Sequence, residues 1–127
     1  MKNELILVVG SSGTVGTELV RILKADGYKV RGTTSKKSND PDVAHLNLAT
    51  GEGIQAAFQG VEKAFFVSPP GYADHYKMLA PLIQEAKRRG LKKVVLMTAM
   101  GANADANAPF RRAEIELENS GLTYNII

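Results

Sequence analysis

The sequence predicts an α/β fold, in which helices cover both faces of a parallel sheet. The first observation is a series of short, continuous apolar runs along the chain, which suit strands that are buried on both faces. The second is that segments with apolar residues at helical spacing lie between these runs. Alternation of this kind is typical of parallel α/β proteins. A third observation agrees with a folded globular protein: 44% of the 127 residues are hydrophobic and 23% are charged.

The first unit of the pattern is a strand, a glycine-rich turn and a helix. Leu5–Val9 is an uninterrupted apolar run that ends at Gly10, as a buried strand followed by a turn does. Gly27 is the expected helix stop. Between them, four apolar residues fall on one predicted helix face: Val15, Leu19, Ile22 and Leu23.

The same alternation continues to the end of the chain. Further strands are predicted over residues 28–34, 43–48, 61–68, 93–98 and 122–127. Helices are predicted over 51–59, over 74–89 and from Pro109 up to Gly121. Pro81 predicts either a kink in the second of these helices or a helix that begins near it. Right-handed crossovers then favour a doubly wound, Rossmann-like, three-layer α/β/α fold with strand order 3-2-1-4-5-6.

Composition excludes several classes of protein. The chain has no cysteine, which excludes disulfides, zinc–thiolate sites and cysteine catalysis. Its two histidines have no partner at ligand spacing, so we expect no metal. The net charge of +3 is scattered, so we expect no nucleic-acid partner. No apolar run approaches the roughly 18 residues of a membrane span, and the opening residues lack the shape of a signal peptide, so we expect a cytoplasmic protein without a membrane partner.

The glycine-rich turn after the first strand carries most of the functional information. It reads GSSGTVG over residues 10–16, between a predicted strand and a predicted helix, which is the context that dinucleotide binding requires. Free N–H groups at the helix start can hold a pyrophosphate, and glycine lets the backbone approach it. The alternative is a glycine-rich turn without a ligand. The candidate cofactor residues here are Gly10, Ser12, Gly13, Thr14, Val15 and Gly16.

The end of the second strand favours NADP(H) over NAD(H). NAD-binding proteins place an acidic residue there for the ribose hydroxyls, whereas this chain has no carboxylate between residue 31 and Asp40. Arg31, Ser35 and Lys36 are the candidates for a 2′-phosphate. NAD(H) is the second choice, and the alternative for the lysine is a solvated loop.

Four segments in order resemble the NmrA-like family of atypical short-chain dehydrogenases and reductases. They read LILVVGSSGTVGTELVRILKADGYKVRG, AFFVSPPG, LKKVVLMTAMGA and AEIELENSGLTYNII. The family includes NAD(P)H-dependent quinone and azo-dye reductases and redox-sensing regulators. The resemblance implies that Asn47 and Leu48 flank the adenine, and that Thr98 positions the nicotinamide or the substrate. An ordinary strand end is the alternative for each.

The turn after the fourth strand is a further candidate. Ser68 and Pro69 follow that strand, at the carboxyl edge where doubly wound folds bind ligands. A proline-fixed loop can lie along the cofactor there. The alternative is a rigid turn without contact.

The chain lacks the tyrosine–lysine pair of many short-chain dehydrogenases. None of its four tyrosines is followed four residues later by a lysine, so the catalytic residues stay unknown. The resemblance implies an NAD(P)-binding domain of an oxidoreductase that passes hydride to a small acceptor such as a quinone. The alternatives are a non-catalytic redox sensor with a protein partner, and a ligand-free remnant.

Residues 1–127 are expected to form a single NAD(P)-binding domain. The resemblance implies that relatives continue past the sixth strand, so the chain is either a fragment of a longer protein or a shortened one. An apolar strand at a sheet edge favours self-association. We therefore expect a homo-oligomer formed through an edge strand or a helix, and a small-molecule acceptor as the other partner.

Overall fold

The computed structural model describes residues 4–10, 14–34, 39–47, 50–67, 75–97 and 109–126. Within these ranges strands and helices alternate as the sequence predicts. The strands are β1 (Leu5–Val9), β2 (Lys29–Thr34), β3 (Val43–His45), β4 (Val61–Val67), β5 (Lys93–Met97) and β6 (Tyr124–Ile126). The helices are α1 (Thr14–Ala25), α2 (Ile54–Phe58), α3 (His75–Arg89) and α4 (Pro109–Glu118).

The six strands form one parallel sheet in the order β3-β2-β1-β4-β5-β6. This confirms the predicted doubly wound, Rossmann-like fold. Leu7 on the central strand β1 pairs with Arg31 of β2 on one side and with Ala64 of β4 on the other. From β1 the chain builds the sheet outward in one direction as far as β3, and then restarts on the opposite side of β1 with β4. The carboxyl ends of β1 and β4 therefore border the crevice where ligands bind in such folds.

The two faces of the sheet are covered unequally. On one face, inward-pointing strand residues pack with α2, α3 and α4 around Phe66, which is fully buried. Its ring contacts that of Phe58 at a centroid distance of 6.0 Å. On the other face, Val8, Val30 and Phe65 form a smaller cluster with residues of α1.

Glycines end two of the helices, and Gly27 does so as the sequence predicts. Gly27 and Gly90 have φ of +87° and +63°, in the left-handed region that side chains other than glycine rarely adopt. Tyr28 N–H then donates to Leu23 O, and Leu91 N–H to Ala86 O, each at 3.0–3.1 Å. These bonds satisfy carbonyls that the helix ends leave free.

Helix α3 runs through Pro81, so the expectation that it begins near this proline is wrong. An internal proline costs about 3 kcal/mol because it removes a backbone hydrogen bond. Burial of the helix's apolar stripe offsets that cost. The stripe consists of Met78, Leu79, Leu82, Ile83 and Ala86.

Two elements are shorter than predicted. Strand β3 ends at His45 rather than at residue 48, because the Asn47 N–H donates to Glu52 O at 2.9 Å in a local turn. Helix α2 begins at Ile54 rather than at residue 51, since Gly51 and Gly53 have φ of +80° and +89°.

A carboxylate at the amino end of β1 joins three neighbouring segments. Glu4 accepts from Lys63 Nζ at 3.1 Å and from Lys92 Nζ at 2.9 Å. Hydrogen bonds from Lys92 and Lys63 lower the pKa of Glu4 to about 2 from 4.5. The stabilisation from Glu4 is therefore fully present above its unfolded pKa, and it is lost as the pH falls from about 4.5 towards 2.

We expect Glu4→Gln to reduce the acid sensitivity of the fold. The variant lacks one carboxyl group that must take up a proton on unfolding, so its midpoint of urea unfolding should fall less than that of the wild type between pH 6 and pH 3. The Glu85 carboxyl, whose pKa is lowered by Arg88, retains its contribution in both proteins. Equal falls in the two midpoints would contradict a stabilising role for the Glu4 pairs.

Candidate functional site

The site predicted from the glycine-rich turn lies at the carboxyl end of β1. Gly10 directly follows this strand and has φ of +89°, a conformation that costs other residues about 1–2 kcal/mol. Helix α1 begins four residues later at Thr14, and Gly16 in its first turn is buried. A glycine bend and a helix start therefore lie at the switch point of the sheet.

The first turn of α1 suits a negatively charged ligand. It contains no acidic residue, and the helix is 12 residues long. The free N–H groups and the positive end of the helix dipole both favour an anion there. For Thr14 and Val15 the structure describes the helical backbone, which provides such N–H groups at either position.

Arg31, one of the predicted contacts of the 2′-phosphate, donates hydrogen bonds to α2 in this structure. Its Nη1 donates to Gln59 O at 2.7 Å, to Ala57 O at 2.9 Å and to Ala56 O at 3.5 Å. The guanidinium thus satisfies carbonyls at the carboxyl end of α2, which attract a cation. Arg31 also lies three residues before the end of β2, and its side chain holds α2 instead of reaching the carboxyl edge.

We expect Arg31→Ala to lower the free energy of unfolding by about 2 kcal/mol, because hydrogen bonds from a charged group are lost. Chemical denaturation measures this change. Lys29→Ala, which removes an exposed positive charge from the same strand, is the matched control and should change stability by less than about 0.5 kcal/mol. If Arg31→Ala instead changed the NADPH/NADH affinity ratio and left the stability unaltered, Arg31 would be a cofactor contact.

Asn47 lies just beyond the end of β3 and organises a turn. Its Oδ1 accepts from Thr50 N–H at 3.3 Å, and its carbonyl accepts from Gly51 N–H at 2.7 Å. Gly53 closes the turn against the strand, since a Cβ at this position would lie 2.1 Å from His45 O. Sequence reasoning did not single out Gly53, although its spacing from Gly51 is a turn signal. Asn47 thus lies in a hydrogen-bonded turn at the carboxyl edge.

The remaining predicted contacts fall outside the described residues. The strands that precede them in the chain end at Val9, Thr34, His45, Val67 and Met97, all at the carboxyl edge of the same parallel sheet. These contacts stay predictions. They are Ser12, Gly13, Ser35, Lys36, Leu48, Ser68, Pro69 and Thr98.

Two classes of feature are absent from the described ranges. No group of three or more histidine, aspartate or glutamate side chains there could hold a metal ion. Among the helices of those ranges, none is long and apolar enough to cross a membrane.

Comparison with known proteins identifies the family. The model of the NmrA-like family matches residues 2–114. The chain belongs to the NmrA-like family. The NAD(P)H azoreductase of Xenophilus azovorans is 31% identical over a stretch that covers 97% of this NmrA-like chain. The uncharacterized oxidoreductase YesF of Bacillus subtilis is 34% identical over 78% of the chain. The NmrA-like chain spans 46% and 35% of these two relatives, less than half of either.

Solved structures show the same fold. NmrA, a negative transcriptional regulator, superposes with a TM-score of 0.79 in its complex with NADP and 0.82 in its complex with NAD. The sequence identities are 19% and 20%, and each match covers 99% of the NmrA-like chain and 45% of the other chain. At this identity the likeness supports the architecture alone.

Proposed function

We propose that this NmrA-like chain binds NADP(H) at the carboxyl edge of its sheet, as the cofactor-binding part of an oxidoreductase. One observation carries the proposal: the left-handed Gly10 and the start of α1 both lie where the strand order reverses. A diphosphate needs donors and positive potential with no side chain in the way. The backbone at this point supplies the donors and the potential, and Gly10 leaves the approach open.

The preference for NADP(H) rests on charge. Residues 31–39 contain no carboxylate, and Ser35 and Lys36 follow β2 directly. A lysine near the carboxyl end of this strand suits a 2′-phosphate, whereas the ribose hydroxyls of NAD(H) favour an acidic residue. With Arg31 engaged at α2, the preference depends on Ser35 and Lys36.

Orientation is the chain's main contribution to the proposed reaction. A bound nicotinamide supplies the hydride, which passes to a small acceptor such as a quinone. The amides after β1 would hold the diphosphate, Asn47 and Leu48 would flank the adenine, and Ser68, Pro69 and Thr98 would contact the nicotinamide part. The name of the Xenophilus azovorans relative, an NAD(P)H azoreductase, supports a reductase that acts on small acceptors.

A redox sensor is the second candidate. The chain has no Tyr-x-x-x-Lys pair, which many short-chain dehydrogenases use for catalysis, so cofactor binding without turnover is the alternative. Oxidation of NADPH on addition of a quinone would support the reductase. Binding of both NADP and NADPH without turnover would support the sensor.

Lys36→Glu tests the cofactor assignment. Because a carboxylate repels the 2′-phosphate and accepts from ribose hydroxyls, we expect the NADPH/NADH affinity ratio, measured by calorimetric titration, to fall at least about tenfold. Lys87→Glu makes the same charge change at the exposed end of α3 and should leave the ratio unaltered. An unchanged ratio in Lys36→Glu would overturn the preference for NADP(H).

A further inference from the structure

An apolar groove lies on the face of the sheet that carries α1. Strands β4 and β5 are adjacent to it, and the cavity has a volume of about 170 Å³. In the described part of the chain the opposite face packs with α2, α3 and α4, whereas this face packs with α1. Parallel sheets are normally covered on both faces. The α1 groove is lined chiefly by Ile6, Leu19, Leu23, Phe65 and Val95, together with Lys93 and with Lys63, which pairs with Glu4.

A protruding apolar side chain stands beside this groove. Ile22 is 45% exposed and lies on α1 three residues after Leu19 and one before Leu23, which both line the groove. Helical spacing therefore places Ile22 on the groove's outer rim. The same small surface thus carries both a ridge and a depression, which is what a self-complementary interface requires.

Opposite charges accompany the ridge and the groove. Asp26 follows Ile22 by one helical turn, and Lys93 lines the groove at the start of β5. Within the described residues neither side chain has an ion-pair or hydrogen-bond partner. Because α1 runs antiparallel to the strands, both residues lie at the amino edge of the sheet.

We propose that the α1 groove binds a second copy of this chain. A two-fold axis parallel to the strands keeps the amino edges of the two sheets together. It seats Ile22 of each copy over the groove of the other and brings Asp26 of each copy to Lys93 of the other. A stable interface of this kind needs about 1,200 Å² of total buried surface. The proposal does not depend on cofactor binding.

Sedimentation velocity of the 127-residue chain tests this interface. We expect a species of twice the 13.7 kDa chain mass, and Ile22→Asp should leave a monomer with an unchanged circular dichroism spectrum. Asp26→Lys and Lys93→Asp should each raise the dimer dissociation constant at least about tenfold by placing like charges together. The double variant, which exchanges the two charges, should dimerise with the dissociation constant of the wild type.

Tyr124→Asp is the matched control. Tyr124 is 38% exposed and lies on β6 at the edge of the sheet, so the variant should remain dimeric. A monomeric wild type would overturn the proposal, as would single charge variants that the double variant does not rescue. Dissociation by Tyr124→Asp with retention of the dimer in Ile22→Asp would assign self-association to the β6 edge instead. If Ile22→Asp does not fold, the comparison of the two single charge variants with the double variant alone tests the interface.

Discussion

Gly10→Ala is expected to weaken NADPH binding at least tenfold, about 1.4 kcal/mol or more. In the proposed site the added Cβ would lie where the backbone approaches the diphosphate, and alanine resists the φ of +89° that Gly10 adopts. Movement of the turn to relieve this strain would also displace the amides at the start of α1. Isothermal titration of the pure variant with NADPH measures the loss.

Gly121→Ala separates strain from binding. Gly121 has φ of +84°, its Cβ would meet nothing within 4 Å, and it lies before β6 at the amino edge. Both variants should lose about 1–2 kcal/mol of stability, but Gly121→Ala should bind NADPH like the wild type. Equal affinities in the two variants would mean that the turn after β1 does not approach the ligand closely.

Phe66→Ala is expected to cost about 3–5 kcal/mol of the free energy of unfolding. Phe66 is fully buried on β4 and packs against Phe58 in the larger cluster. Because strands and helices enclose it on all sides, truncation leaves a cavity that the fold cannot fill. The whole stability of a domain is about 5–15 kcal/mol, so urea unfolding should show a large shift.

Phe65→Ala is the matched control from the next position of the same strand. Phe65 is 9% exposed and lines the α1 groove on the other face. Its truncation enlarges a depression that is already open, so a smaller loss of about 2 kcal/mol is expected. A loss for Phe66→Ala no larger than that for Phe65→Ala would contradict the unequal covering of the two faces.

The sequence predicted the features that depend on local pattern. Short-range signals in the sequence include the apolar run of β1, the glycine stop at Gly27 and the alternation of strand-like runs with helical spacing. The rules of chain connectivity then favour one order of the strands in the sheet. The glycine-rich turn was predicted for the same reason, since Gly10 lies between a strand and a helix. The family resemblance agreed with the match over residues 2–114.

Contacts between distant segments were not predictable in this way. Arg31 was assigned to the cofactor because it is basic and near the end of β2, yet its partners Ala57 and Gln59 lie 26 and 28 residues away. Only the register of the folded sheet brings them together. For Pro81 the sequence left a kink and a helix start as alternatives, because the burial that offsets the cost of an internal proline depends on packing between elements. The pairs of Glu4 with Lys63 and Lys92 likewise join separate strands.

Backbone amide NMR shifts of the 127-residue chain on titration with NADP⁺ test the central proposal most directly. We expect saturable changes at Gly10 and in the first turn of α1, with smaller ones around Asn47 and none at Gly90 or Gly121 on the amino edge. Changes that are absent at millimolar NADP⁺, or that map only to the α1 groove, would contradict it.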